Sequence, residues 1–173
     1  MTAAPRHLIE TPILDVRIAE NSRWQHKHWT SLQQSYSHAP YFSRYAPMLE
    51  AFYTKRADRL AELTMEMTLL IARELGITHT RFVRSSTLAI TGTKTDRLIS
   101  LLRAVGADHY ISGPSAQAYI DEPMLAAARS TVEYMQYDYP EYEQLHPPYD
   151  PFVSILDLLF MKGPEAPRYI WGA

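Results

Sequence analysis

Residues 137–165 read Tyr-Asp-Tyr-Pro-Glu-Tyr-Glu-Gln-Leu-His-Pro-Pro-Tyr-Asp-Pro-Phe-Val, then Ser-Ile-Leu-Asp-Leu-Leu-Phe-Met-Lys-Gly-Pro-Glu. The two parts make opposite demands on the backbone. Pro140, Pro147, Pro148 and Pro151 fix φ and remove donors, so the first part cannot be a regular helix. The second part is a short apolar helix with both ends written into it. Ser154 can cap its first turn, with Asp157 three residues on as an approximate capping box, and Gly163-Pro164 stops it. An aromatic, polar loop anchored to a buried helix can hold side chains over a site, or it can close a domain.

The rest of the chain supplies that helix with something to bury against. Residues 1–12 are expected to be loosely ordered, and a single domain is expected over residues 13–173. Leu14, Val16 and Ile18 alternate with Asp15 and Arg17, the period of a half-buried strand. Ser22 to Gln25 reads as a capping box opening a helix with Trp29, Leu32 and Tyr36 on one face, broken at Ala39-Pro40. Pro47 suits the first turn of another helix. Asp58 opens the longest helix, striped by Leu60, Leu63, Met67, Leu70 and Ile71 and stopped by Gly76.

Residues 81–85 read as a strand, 95–105 as a helix and 109–112 as a second strand, a parallel crossover unit. Short helical pieces near 115–119 and 124–128 and a strand over 131–138 complete the pattern. The fold class expected is α/β, with a small, mostly parallel sheet flanked by helices.

Parallel sheets bind ligands beyond the carboxyl ends of their strands. Two loops fall there: Ser85-Ser86-Thr87, and Ser112-Gly113-Pro114-Ser115. Helix N-termini near Thr95 and Ser115 would offer free backbone donors to an anion. Arg84, Lys94 and Arg97 concentrate positive charge around the same edge. The expected ligand is a small molecule carrying phosphate or carboxylate. The anion-binding set is Arg84, Ser85, Lys94, Thr95, Arg97, Ser112, Gly113, Tyr119 and Gln144. Gly92-Thr93-Lys94-Thr95 resembles the end of a phosphate-binding loop but lacks the earlier glycine of that motif.

His146 stands in the proline-rich loop near Glu141, Glu143 and Asp150, where an imidazole can act as general base or acid. Asp157 is a charge inside an apolar helix and needs a partner; it can orient His146, bind an amine or cap the helix. His26 and His28 point apart on a helix and make a poor metal pair, so no metal is expected. The sequence indicates no particular cofactor. His7, His38, His79 and His109 carry no signal.

The totals exclude several classes. There is no cysteine, which removes disulfides, thiol catalysis and the commonest structural zinc sites. A formal net charge of -2 argues against a general nucleic-acid binder. No apolar run approaches the roughly 18 residues of a transmembrane helix, and the N-terminus lacks a signal-peptide core. A cytoplasmic protein is expected.

Several ordered segments resemble the WbqC-like protein family. They are Trp24 with Lys27-His28, Ala39-Pro40-Tyr41-Phe42, Phe82-Val83-Arg84-Ser85-Ser86, Lys94-Thr95-Asp96-Arg97-Leu98 and Gly106-Ala107-Asp108. Tyr110-Ile111-Ser112-Gly113-Pro114, Tyr139-Pro140, Gln144-Leu145-His146, Ser154-Ile155-Leu156-Asp157-Leu158-Leu159-Phe160 and Gly163-Pro164-Glu165-Ala166 complete the set. The resemblance implies a Rossmann-like fold in bacterial surface-polysaccharide (O-antigen) or natural-product biosynthesis. It also implies transfer of a glycine-type acyl or aminoacyl group to an amino-sugar or related metabolite. Members usually open with a Gln-Pro-x-Tyr-x-Pro-x-x-Gly-Tyr-Phe strand and turn, which this chain does not carry. A shortened member is therefore expected, with a second copy or a partner subunit covering the missing strands. The alternative reading is a non-catalytic remnant that binds a partner or a metabolite.

Overall fold

The structure is a computed structural model that describes residues 11–19, 23–138 and 140–172. The loose ordering expected for residues 1–12 falls largely outside them, as does the cap expected from Ser22. In chain order the helices are α1 (Trp24–Tyr36), α2 (Phe42–Thr54), α3 (Leu60–Glu74), α4 (Lys94–Val105), α5 (Glu122–Ala127), α6 (Ile155–Lys162) and α7 (Arg168–Trp171). The strands are β1 (His109–Ser112), between α4 and α5, and β2 (Thr131–Tyr134), after α5. The architecture is helix-dominated with a two-stranded parallel sheet. No helix among the described residues is long and apolar enough to cross a membrane.

These residues gather into two compact units. One takes the described residues up to His79 and from Pro140 onward; the other is Thr80–Asp138.

The first unit is built on Phe160, which is fully buried in α6. Tyr36 of α1 and Phe42 and Tyr45 of α2 surround its ring, at centroid distances of 5.0, 5.2 and 6.5 Å. Trp29 of α1 stacks on Phe42 at 6.1 Å and on Tyr53 at 6.2 Å. Trp29, Leu32 and Tyr36 thus face the core as their spacing predicts. The Tyr41 amide donates to the Phe160 carbonyl at 2.9 Å and pins the start of α2 to α6. Helix α2 begins at Phe42 and carries Pro47 in its interior, not its first turn. Proline there removes one backbone hydrogen bond. The packing of Phe42 and Tyr45 on Phe160 outweighs that loss.

Two expected strands are absent. Ile13–Asp15 is a 3-10 turn, and Arg17 makes only an isolated antiparallel bridge to Arg59. Residues 81–84 are irregular and Ser85–Thr87 is a 3-10 turn, with Phe82 and Val83 exposed. The first segment alternates but pairs only over one bridge, with the Ile18 amide donating to the Asp58 carbonyl and the Leu60 amide to the Val16 carbonyl, each at 3.0 Å; the second has no paired strand among the described residues.

The second unit therefore contains a different crossover from the one expected over 81–112. It runs from β1 through the 3-10 turn Pro114–Ala118 and α5 to β2, pairing His109 with Thr131 and Ser112 with Tyr134. The second strand stops well before residue 138, because β1 ends at Ser112. The Met135 amide makes the last link, to the Ser112 carbonyl at 2.8 Å. Ile99, Leu102 and Leu125 form the core beneath this sheet.

Helix α6 ends as its sequence predicts. The Ser154 hydroxyl accepts from the Leu156 amide at 3.3 Å, and Gly163 takes a φ of 55° at the other end. A Cβ at Gly163 would lie inside the Tyr41 ring. Gly76 has a φ of 73° but opens onto empty space. Gly163→Ala is expected to combine backbone strain with overpacking and cost about 2–4 kcal/mol. Gly76→Ala should cost only about 1 kcal/mol, from strain alone. Thermal or urea melts of the two variants check the difference.

Candidate functional site

Helix α6 is apolar and buried over Asp157, Leu158, Leu159, Phe160 and Met161, so its one carboxylate is carried into the core. Asp157 is 5% exposed. A carboxylate taken from water needs strong donors in return. Three side chains supply them. Tyr36 donates to Oδ2 at 3.0 Å, Tyr142 to Oδ1 at 2.7 Å, and Gln144 Nε2 to Oδ1 at 3.3 Å. Asp157 makes none of the capping contacts expected of it. The cap is Ser154, and the carboxylate faces α1 and the loop instead.

Gln144 extends the network along the loop. Its Nε2 donates to the Asp150 carbonyl at 2.9 Å, and its Oε1 accepts from the Asp150 amide at 2.8 Å. The Asp150 carboxylate accepts in turn from the Phe152 amide at 2.8 Å. Tyr142 also packs edge-on against Tyr149 and Tyr169, with centroids 5.6 and 5.7 Å away. The proline-rich loop is thus closed on itself and tied to Asp157. His146 sits between Gln144 and Asp150, and it is exposed.

Burial and then the hydrogen bond to Asp157 push the Tyr36 hydroxyl up from 10.0 to about 12. The same causes raise Tyr142 further. Below the ordinary tyrosine value both hydroxyls stay protonated and donate to the carboxylate.

The other expected site residues lie in the second unit. Ser112 ends β1, and its hydroxyl donates to the Tyr110 hydroxyl at 3.3 Å. Gly113 follows with open space around it, and Tyr119 is 72% exposed. Thr95 is buried, and its hydroxyl accepts from the Asp121 amide at 3.1 Å, joining α4 to α5. Lys94 and Arg97 are exposed on the first turn of α4. Arg84 ends the irregular stretch 81–84 and Ser85 opens the 3-10 turn after it, so no shared strand edge sets Ser85 beside Ser112.

Two features went unread in the sequence. His109, which carries no signal there, bridges the strands. Its Nδ1 lies 2.9 Å from the Thr131 hydroxyl and its Nε2 3.0 Å from the Glu133 carboxylate, all exposed. The parallel register that pairs His109 with Thr131 produces this line, and no local motif announces it. The other is a cleft of about 610 Å³ in the first unit, walled by Trp24, His28, Phe52, Tyr53, Leu63 and Met67 among others. The hydrophobic stripe of α3 was visible, but not that part of it faces a cleft. Among the described residues no three His, Cys, Asp or Glu are grouped as a metal site requires.

Asp157→Ala is expected to orphan the Tyr36 and Tyr142 hydroxyls, at about 1–3 kcal/mol for each donor left unpaired, read as a lower urea midpoint. The raised Tyr36 value adds an alkaline limit. Its stabilising contribution is whole below pH 10.0 and is lost as pH rises through about 12. Melts across that window should show a steep loss that Tyr36→Phe lessens and Tyr36→Phe with Tyr142→Phe lessens further.

Comparison with known proteins agrees with this chain-wide pattern. No solved structure matches. The uncharacterized protein Rv1507c of Mycobacterium tuberculosis (strain ATCC 25618 / H37Rv) is 36% identical over 155 residues, 88% of this chain and 67% of that protein. The WbqC-like protein family matches residues 4–169, a span that includes the Asp157 network, the loop bearing His146 and the parallel strands. The chain belongs to the WbqC-like protein family.

Proposed function

We propose that this protein is a cytoplasmic acyl or aminoacyl transferase, of the glycine-transferring type, acting on an amino-sugar or related metabolite in surface-polysaccharide or natural-product biosynthesis. The observation that carries this reading is the tethered loop. A buried carboxylate, Asp157, holds Tyr142 and Gln144, Gln144 holds Asp150, and the exposed His146 stands between these fixed points. Catalytic bases need such placement, because a general base works only within hydrogen-bond reach of the proton it takes.

In this reading the acceptor amine attacks the acyl carbonyl and a C–N bond forms. His146 takes the proton the amine loses. The bond from carbonyl carbon to the leaving oxygen or sulfur breaks, and the imidazole returns the proton to that atom. Asp157 touches no substrate here; it is a positioning residue acting through Gln144. Separately, within the second unit, Arg84, Ser85, Lys94, Arg97, Ser112, Gly113 and Tyr119 are proposed to bind a phosphate or carboxylate. The crossover β1–α5–β2 is the kind of unit from which a Rossmann-like sheet is made, and that fold is part of the proposal.

The test is an assay with a glycyl thioester donor and glucosamine as acceptor, read by mass spectrometry of the amide product. His146→Ala should lower turnover by about 10²–10⁴-fold, the usual worth of a general base. Unchanged turnover in that variant removes His146 from the mechanism. Gln144→Ala should lower turnover less, and its product should stay the same.

A further inference from the structure

The cleft in the first unit stands apart from the Asp157 network and is untouched by the transfer reading. Its size, about 610 Å³, lies within the range of small-molecule sites, roughly 300–1,000 Å³. Buried Phe52 and Leu63 line it from α2 and α3. Trp24, His28 and Tyr53 stand mutually edge-on, with centroids 5.4, 6.2 and 6.3 Å apart, so this wall is locked before any ligand arrives. The rings touch one another and leave no box between them for a cation.

The polar groups of the lining are one-sided. Thr64 and Thr68 spend their hydroxyls on carbonyls of their own helix. Arg17 and His28 line the cleft, and among the described residues no Asp or Glu does. The nearest acid in sequence to Arg17 on its N-terminal side, Asp15, is taken by Arg59 at 3.0 Å. Among the described residues the Arg17 guanidinium has no ion-pair partner.

We propose that this cleft binds an amphipathic organic anion. An aliphatic or aromatic body would lie against Trp24, Phe52, Tyr53, Leu63 and Met67, and a carboxylate or phosphate head would meet Arg17 and His28. Arg17 in the lining disfavours cationic amphiphiles, and a preformed pocket spares the ligand the cost of ordering it.

Tryptophan fluorescence tests this, because Trp24 lines the cleft. Decanoate, decyl phosphate, decanol and decyltrimethylammonium are titrated below their micelle concentrations. Saturable binding of decanoate or decyl phosphate is expected, and whichever is tighter names the head group. The ammonium should bind more weakly, by up to about fivefold, the worth of an exposed charge interaction. Arg17→Glu should erase that preference. Thr64→Trp, at an exposed position on the lining, should fill the cleft and abolish binding while the melting temperature holds. Thr68→Trp serves as the second filling variant if Thr64→Trp unfolds. No saturation by either anion, equal binding of the ammonium, or binding that survives a folded filling variant overturns the proposal.

Discussion

Much of the first unit depends on how one carboxylate is accommodated. Helix α6 must bury Leu158, Leu159 and Phe160 to hold α1 and α2 together, and Asp157 goes in with them. An unpaired carboxylate in such a place costs far more than a single buried methyl group returns. Its donors come from separate parts of the chain: Tyr36 at the end of α1, and Tyr142 and Gln144 in the loop before α6. Core packing and loop conformation are therefore coupled. Seating the helix is easier once the loop supplies its donors, and the loop gains an anchor from the helix.

That coupling turns an otherwise irregular, proline-rich segment into a scaffold. Gln144 uses one amide on both sides, donating to Asp157 and exchanging two hydrogen bonds with the Asp150 backbone. Neutral, high-pKa tyrosines suit the role, since each can only donate to the carboxylate while it keeps its proton. Loops held this way carry side chains on fixed points of a scaffold. The second unit has its own core and its own crossover, and it offers strand-end and helix-start donors of another kind.

Helices were more legible in the sequence than strands, for a physical reason. The stripe from Leu60 to Ile71 and the run Leu98, Leu102 with Gly106 behind it each repeat over several turns, and a helix satisfies its own backbone. The segment at 14–18 alternates over only five residues and that at 81–85 is a short apolar pair between charges, and a strand is stable only beside another strand. The first found one bridge, to Arg59, and the second no partner among the described residues. The pair that did form, β1 and β2, brings together residues separated by a helix, and the register between them was invisible until the sheet was built. His109 illustrates the cost of that blindness. It looked unremarkable alone and became the bridge between Thr131 and Glu133 only through cross-strand pairing.

By itself the sequence determined the ends of α6, through Ser154 and Gly163-Pro164, because caps act within one turn of the residues they satisfy. It also determined the absence of thiol chemistry and carried the ordered motifs of a WbqC-like chain. Only the tertiary structure decided what Asp157 does. A charge in an apolar helix announces that a partner is required, but Tyr36 lies 121 positions away, and no local rule reaches that far. The same holds for the Tyr41 ring that excludes any side chain at Gly163, and for the apolar cleft beside Trp24. Local propensity selects each element; which polar and apolar groups finally meet is set by the packing that brings distant elements together.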